Sequence, residues 1–502
     1  MLDNLFGKFF KFCLAIFVVI DFFSFLSYQN SFWQLTLFIS LSLLVLIVSW
    51  YKLEYGVYFL LAELFVGSQG HLFALTTPYF VFSIRMSLFG AVFLVWLVKL
   101  LIGQRAEFFS KANHFLSVYL LLFIFLALAS LRGLLANQID QVFFDANGWL
   151  FLAIAPVVFS IFKSTNEVKK VFSILLAAGC FIAAKTVLVL ILFAYPWPID
   201  IAKIYTWLRD ARIGEITYVS GSYYRVFFQS QIYVLIALLI SFSFILFKDK
   251  LSLSLVTVKW LRAVCLLSST AVIACLSRSY WVGATFSLVA ILFALLIKFG
   301  YSFKKIARLL LVVILTVVLE IGFLFVITGD LTHNLTQDNW IKGRLISPAA
   351  ESAGLSRLAQ LGPLGQKISE NWLLGAGFGK TVTYQTNDPR ILKQNPSGIY
   401  TTYAFEWGYL DIWLKTGLIG LVVYLFLYYS VFKEGVFLIF QGAGEWPYLI
   451  SALLIGLIGL MVTSVFSPYL NHPLGIGYLV LISAIIYYFK NKYVESKSKI
   501  SH

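Results

Sequence analysis

The chain has 502 residues, of which 60% are hydrophobic, 18% aromatic and only 12% charged, with a formal net charge of +15. A soluble domain is about 45–50% apolar and about 25% charged, so this composition cannot coat a water-soluble globule of such size. A disordered chain, poor in aromatics and rich in charge, is excluded by the same figures.

Apolar runs of roughly 20 residues, the length of a bilayer-crossing helix, follow one another along the chain. They are continuous, where a membrane β-barrel would show alternating strands of about ten residues. The reading is an all-α polytopic integral membrane protein with about 14 spans. The spans lie near 9–27, 33–51, 55–70, 77–102, 114–133, 145–163, 168–194, 226–247, 258–276, 280–299, 304–328, 408–432, 447–467 and 473–490. Lys8 and Lys11 before the first run resemble the start of a signal peptide. No small-residue cleavage site follows, so the run is read as an uncleaved first helix. Cys13, Cys180, Cys265 and Cys275 all fall inside apolar runs without metal-ligand spacing and read as small buried hydrophobes.

The basic residues sit at the ends of the apolar runs, which makes them topogenic and gives no reason to expect nucleic acid. With the N-terminus cytoplasmic, the inner segments hold Lys8, Lys11, Lys52, Lys99, Lys163, Lys298, Lys304 and Lys433, and the tail adds Lys490, Lys492 and Lys497. The short outer loops hold almost none, so both termini are expected on the cytoplasmic side of the membrane. The organisation is then membrane helices 1–11 over 1–328, with an outer loop at about 195–225. A large outer loop at 329–407, three more helices over 408–490 and a tail at 491–502 complete it. Connections as long as these two loops usually carry function. Within the larger one, Leu355, Leu358, Leu361, Leu364 and Ile368 recur at helical spacing, which predicts an amphipathic helix over 355–372, kinked by Gly362-Pro363.

No HExxH, GxSxG or GxxxxGK[ST] motif is present, and no metal is expected. The run Gly375-Ala-Gly377-Phe-Gly379 lacks the preceding strand of a dinucleotide fingerprint and reads as a tight turn that lets backbone approach a neighbour. Four arginines stand on the outer side: Arg85 in an apolar run, Arg225 opening a span, Arg278 in the link between two spans, and Arg357 in the large loop. Arginine at mid-membrane costs about 2.5–3.5 kcal/mol on insertion scales and marks a functional site, whereas near the interface it can snorkel. With no matching acids nearby in sequence they call for an anion, and a diphosphate fits the bidentate guanidinium fork. Glu406 ends the large loop just before a span. It reads either as a carboxylate stabilising a helix N-terminus or as a general base for a sugar hydroxyl. Asp411 and Lys415 follow at about one-turn spacing, which predicts one shared helix face and an Asp411–Lys415 pair.

Arg357-Leu-Ala-Gln-Leu, then Glu370-Asn-Trp-Leu-Leu-Gly375-Ala-Gly377-Phe-Gly379, then Glu406-Trp-Gly-Tyr-Leu and Thr416-Gly417-Leu-Ile-Gly420 resemble, in order and spacing, the O-antigen ligase/polymerase superfamily of bacterial envelope glycosyltransferases. Ser277-Arg278 at a span start resembles a second feature of that family, and the match runs over 270–425. The resemblance implies a GT-C-like membrane glycosyltransferase taking an undecaprenyl-diphosphate-linked oligosaccharide at the outer face, with membrane lipid around it and no cofactor or metal. It implies diphosphate binding by Arg278 and Arg357; Arg225 and Arg85 join them from position alone. Where the family carries histidine, counted back from Gly417, this chain has Glu406. That departure turns the expectation from ligase, which joins glycan to lipid A-core, toward polymerase, for which a chain-length regulator is a natural partner. The catalytic candidates are therefore Glu406, Arg278 and Arg357. A flippase for the same lipid-linked sugars is the alternative from another class; Asp21, Glu63, Lys185 and Glu320 within spans speak for it, and the lack of an internal repeat speaks against it.

Overall fold

The computed structural model describes residues 4–77, 80–103, 114–329, 352–393, 395–442 and 444–498. Residues 330–351 of the predicted large loop and 499–502 of the tail lie outside that set. The described chain is a helical bundle with three two-stranded antiparallel hairpins. Twelve helical segments are long and apolar enough to cross a membrane. Two shorter helices at predicted spans, Leu53–Val66 and Gln231–Leu246, account for the rest.

The first part runs α1 (Lys8–Ser27), α2 (Ser31–Tyr51), α3 (Leu53–Val66), β1 (Ala74–Thr76), β2 (Val81–Ser83) and α4 (Ile84–Leu101). After α5 (His114–Ala136) the expected span at 145–163 is broken into α6 (Ile139–Ala146), a 3₁₀ stretch (Asn147–Ile154) and α7 (Ala155–Ile161). Pro156 sits in the first turn of α7, where its missing N–H leaves no bond unmade. Then come α8 (Thr165–Ala194), α9 (Ile201–Asp210), β3 (Gly214–Ser220), β4 (Tyr223–Phe228), α10 (Gln231–Leu246), α11 (Leu255–Ala274), α12 (Arg278–Ile297) and α13 (Phe303–Thr328). The large loop contributes α14 (Ser352–Glu370), β5 (Val382–Gln385), α15 (Pro389–Leu392) and β6 (Ile399–Thr402). It is followed by α16 (Gly408–Gln441), α17 (Trp446–Thr463) and α18 (Pro473–Ser498).

Short polar residues start these helices. The Asn30, Ser83 and Ser254 side chains each accept a first-turn N–H, and Ser164 with Glu167 closes a capping box on α8. Helices α8, α17 and α18 form the most enclosed part, while α2 and α13 turn most of their apolar surface outward. Leu319 on α13, for example, is 73% exposed. Such surface is tolerable only against lipid.

One placement differs from the sequence reading. Arg225 does not open a span: it lies on β4, paired with Thr217 across a hairpin. Buried Tyr223, Val226 and Phe228 anchor this strand, whose alternation is hidden at the edge of an apolar run. Arg85, expected on the outer side within an apolar run, is the second residue of α4, immediately after the β1–β2 hairpin.

Candidate functional site

The site is built on a break in α16. Gly417, with φ 74° and ψ 176°, interrupts the helix about two and a half turns from its start at Gly408. The carbonyls of Leu414 and Lys415, freed by the break, accept from the N–H groups of Ala376 (2.7 Å) and Gly377 (3.1 Å). The Leu418 N–H, freed on the other side, donates to Trp372 O at 2.8 Å. The strap 372–379 therefore supplies partners for backbone groups that the break frees. Gly375, Gly377 and Gly379 have φ of +75°, +82° and +75°. A Cβ on them would overlap the backbone of Gly417, Gly133 and Val142 respectively. Asn137 Nδ2 donates to Phe378 O at 2.8 Å and ties the strap to the end of α5.

The strap sets α14 in place. Its buried stripe is Ser356, Gln360, Leu364 and Ile368, at four-residue spacing, with Gln360 donating to Tyr384 Oη at 3.0 Å. Leu364 and Ile368 join Val382, Phe405 and Leu414 in a small separate core that fixes the loop on α16. Leu355 and Leu358, expected on the packed face, are 43% and 51% exposed. The polar Ser356 and Gln360 take their place, each with a side-chain atom bonded to Tyr384 Oη.

On this frame Arg357 and Glu406 form an ion pair with side chains 41% and 44% exposed. Trp407 Nε1 donates to Arg357 O at 2.9 Å, and the Trp407 ring lies 5.7 Å from that of Phe466. Glu406 precedes the helix cap, Trp407, and gives its carboxylate to Arg357. It does not share a helix face with the buried Asp411 and Lys415. Arg278 opens α12 after Leu276, whose φ of 50° is a left-handed conformation that costs a non-glycine residue about 1–3 kcal/mol. Ser279 Oγ lies 3.1 Å from Ser467 Oγ, and Thr463 Oγ1 donates to Ser279 O at 3.3 Å. Arg225 Nε donates to Cys275 O at 3.0 Å, so it reaches the same link. The turn at 463–468 thus touches the Arg278 link on one side and Trp407 on the other.

Arg85 stands apart. Its Nε and Nη2 contact Glu63 Oε2 at 2.8 Å and Oε1 at 3.1 Å, a bidentate buried pair. The expectation of four arginines without acids therefore fails for Arg85 and Arg357, whose partners are distant in sequence. Nearby, burial pushes the His472 imidazole down to about 3 and that of His71 to about 4; the Arg85 cation acts in the same direction at His472, as do Arg212 and, less strongly, Arg85 at His71. His472 Nδ1 accepts from Leu474 N at 3.3 Å, at the start of α18.

Asp145 was not singled out by sequence. Lys415 pairs with Asp411 (2.5 Å) and also with Asp145, all three side chains at most 8% exposed. Asp145 Oδ2 accepts the Gly379 N–H at 2.8 Å, and Asn471 Nδ2 donates to Asp411. The only signal was an acid next to the broken span at 145–163. Among the described residues, no group of three or more His, Cys, Asp or Glu could hold a metal ion.

Fold and site define a multi-pass membrane protein carrying a cationic, carboxylate-bearing site at one end of its bundle. Residues 263–425 match the family model described as O-antigen ligase, which supports the O-antigen ligase/polymerase superfamily. That segment holds Arg278, Arg357, the glycine strap, Glu406 and the broken start of α16. It supports a membrane enzyme of O-antigen or polysaccharide synthesis. No curated protein matches the chain.

Proposed function

We propose that the protein polymerises undecaprenyl-diphosphate-linked repeat units on the outer face of the cytoplasmic membrane, without a metal. The observation that carries this reading is the accessible Arg357–Glu406 pair beside the turn that also meets the Arg278 link. A diphosphate entering here competes with Glu406 for Arg357, because a second anion of higher charge draws the guanidinium. Binding of the donor then frees the carboxylate that the reaction needs.

The acceptor hydroxyl oxygen forms a bond to the anomeric carbon of the donor. The bond from that carbon to the diphosphate oxygen breaks, its electron pair leaves with the diphosphate, and the hydroxyl proton passes to Glu406. Arg278 and Arg357, with Arg225 at the same link, stabilise charge that grows on the leaving diphosphate, and this differential stabilisation lowers the barrier. Arg85, neutralised by Glu63, holds α4 to α3 and is not assigned to the diphosphate.

Glu406 at the family's histidine position favours polymerase. The description of the matching family, O-antigen ligase, favours transfer to a separate acceptor as the second reading. Purified protein in proteoliposomes with lipid-linked repeat units separates them. A ladder of products without added acceptor is expected; a single shift that requires another acceptor establishes a ligase, and movement between leaflets without new bonds overturns both.

A further inference from the structure

Helices α4 and α18 both begin at the site end, at Arg85 and beside the 463–472 turn, and run away from it. The 26 residues of α18 span roughly 39 Å at 1.5 Å per residue. At the far ends lies a second cavity, of about 1180 Å³, between the α2–α3 corner, the end of α4, the α7–α8 link and the end of α18.

Five lysines line it: Lys52, Lys99, Lys163, Lys170 and Lys492. They outnumber the lining carboxylates Glu54, Glu167 and Glu495. Glu167 is already engaged, accepting the Ser164 N–H at 2.6 Å. The Lys170 ammonium lies 5.6 Å from each of the Tyr55 and Tyr58 ring centroids, so its position in the cavity is held by aromatic faces. The wall also contains two buried polar atoms with no partner, Tyr58 Oη and Trp96 Nε1. The two residues are 6% and 7% exposed. An indole N–H can only donate, and a buried donor left unmade is costly. Neither atom has a protein acceptor, and both residues line the cavity. Cations together with orphaned donors select an anion with several oxygens, and the adjoining Leu53, Leu100, Phe159 and Ile161 supply apolar wall.

We infer that this cavity seats the phosphate of a membrane phospholipid headgroup, with the acyl chains leaving along the apolar wall. Basic pockets between helix ends at a membrane surface take anionic headgroups in this way. A soluble phosphate compound offers the same anion from another source, and the test separates the two. The inference does not depend on the glycosyl-transfer reading, because the cavity and the Arg357–Glu406 pair lie at opposite ends of α18.

The full-length protein, purified in detergent and stripped of lipid, is titrated with phosphatidylglycerol or with inorganic phosphate while thermal unfolding is followed. A saturable rise in melting temperature with phosphatidylglycerol, and none with inorganic phosphate, is expected. Half-saturation should weaken about tenfold in the Lys163→Gln/Lys170→Gln double variant, which loses two charge-assisted contacts. The Tyr58→Phe variant, which removes one donor with little change of shape, should weaken it less and remains informative if the double variant does not fold. Lys305→Gln, outside the cavity, should titrate like the unaltered protein. An equal response to inorganic phosphate overturns the lipid assignment, and equal half-saturation in Tyr58→Phe and the unaltered protein overturns the cavity as the seat.

Discussion

Arg357 and Glu406 hold opposite charges within reach of solvent, and their exchange of partners is the central event of the proposed reaction. Glu406→Gln keeps the shape of the contact with Arg357 but removes the base. Product formation should fall by about 10²–10⁴ in a single-turnover assay. Arg278→Ala and Arg357→Ala should each lower turnover by about 10²–10³ while membrane insertion is retained. Near-normal turnover and chain length in both arginine variants would remove the diphosphate clamp. His472 and His71 work on stability instead. Their folded-state values, lowered to about 3 and about 4, lie below the unfolded value near 6.5, so the unfolded chain takes up protons first. Stability is complete above about pH 6.5 and declines as pH falls toward the folded values. Protonation also turns the His472 Nδ1 acceptor into a donor and removes the Leu474 N–H bond. Thermal melting measured from pH 7.5 to 5 should show this decline, and His472→Asn, which keeps an acceptor there, should flatten it. A slope unchanged in that variant assigns the acid sensitivity elsewhere.

The strap and the broken helix are complementary elements, and each side is required by the other. Gly375→Ala places a Cβ against Gly417 and holds alanine at φ +75°. Backbone strain alone contributes about 1–3 kcal/mol, and the overlap adds to it. Melting temperature and activity should fall together, because the strap anchors α14 and hence Arg357. Lys415→Met is a sharper case. It leaves Asp145 and Asp411 buried without their shared cation, a loss of about 3–5 kcal/mol. Adding Asp145→Asn and Asp411→Asn to the same chain should recover much of that loss in a melting experiment; no recovery would mean that shape, not charge, holds this cluster. The glycines were legible in sequence as a backbone approach, since few other roles suit three alternating glycines. The cluster was only half legible. Asp411 and Lys415 are four residues apart, so helical spacing revealed them, but Asp145 lies 270 residues from Lys415 and no local pattern links the two. The ion pairs of Arg85 and Arg357 escaped for the same reason. The β3–β4 hairpin escaped because the alternation of Tyr223, Val226 and Phe228 merges into the apolar run of α10.

At the scale of the whole molecule, the membrane makes a coarse demand that sequence answers well: every backbone group satisfied internally over about 20 apolar residues. Each predicted span therefore holds a helix, although those at 77–102 and 226–247 begin in hairpin strands, and two further irregularities lie at the site end. These are the 3₁₀ stretch at Asn147–Ile154, packed with Gly148 against Asn471, and the break at Gly417. The same architecture yields a test of sidedness. The bundle places Glu406 at the end of α16 nearest the 463–468 turn, with Ser369 on the same connection between α13 and α16, whereas the end of α18 beyond Lys490 lies across the bundle. In the proposed orientation, read from the lysine asymmetry, that far end faces the cytoplasm. Ser369 and Ser496 are both exposed, and the four native cysteines are buried or half-buried. In intact cells, a membrane-impermeant maleimide should label Ser369→Cys at once and Ser496→Cys only after permeabilisation. The reverse order would put the Arg357–Glu406 pair on the cytoplasmic side, where an undecaprenyl-linked glycan awaiting polymerisation at the outer face could not meet it. Labelling of both from one side would contradict the bundle's span count itself, since it would bring the two ends of α18 to a single membrane surface.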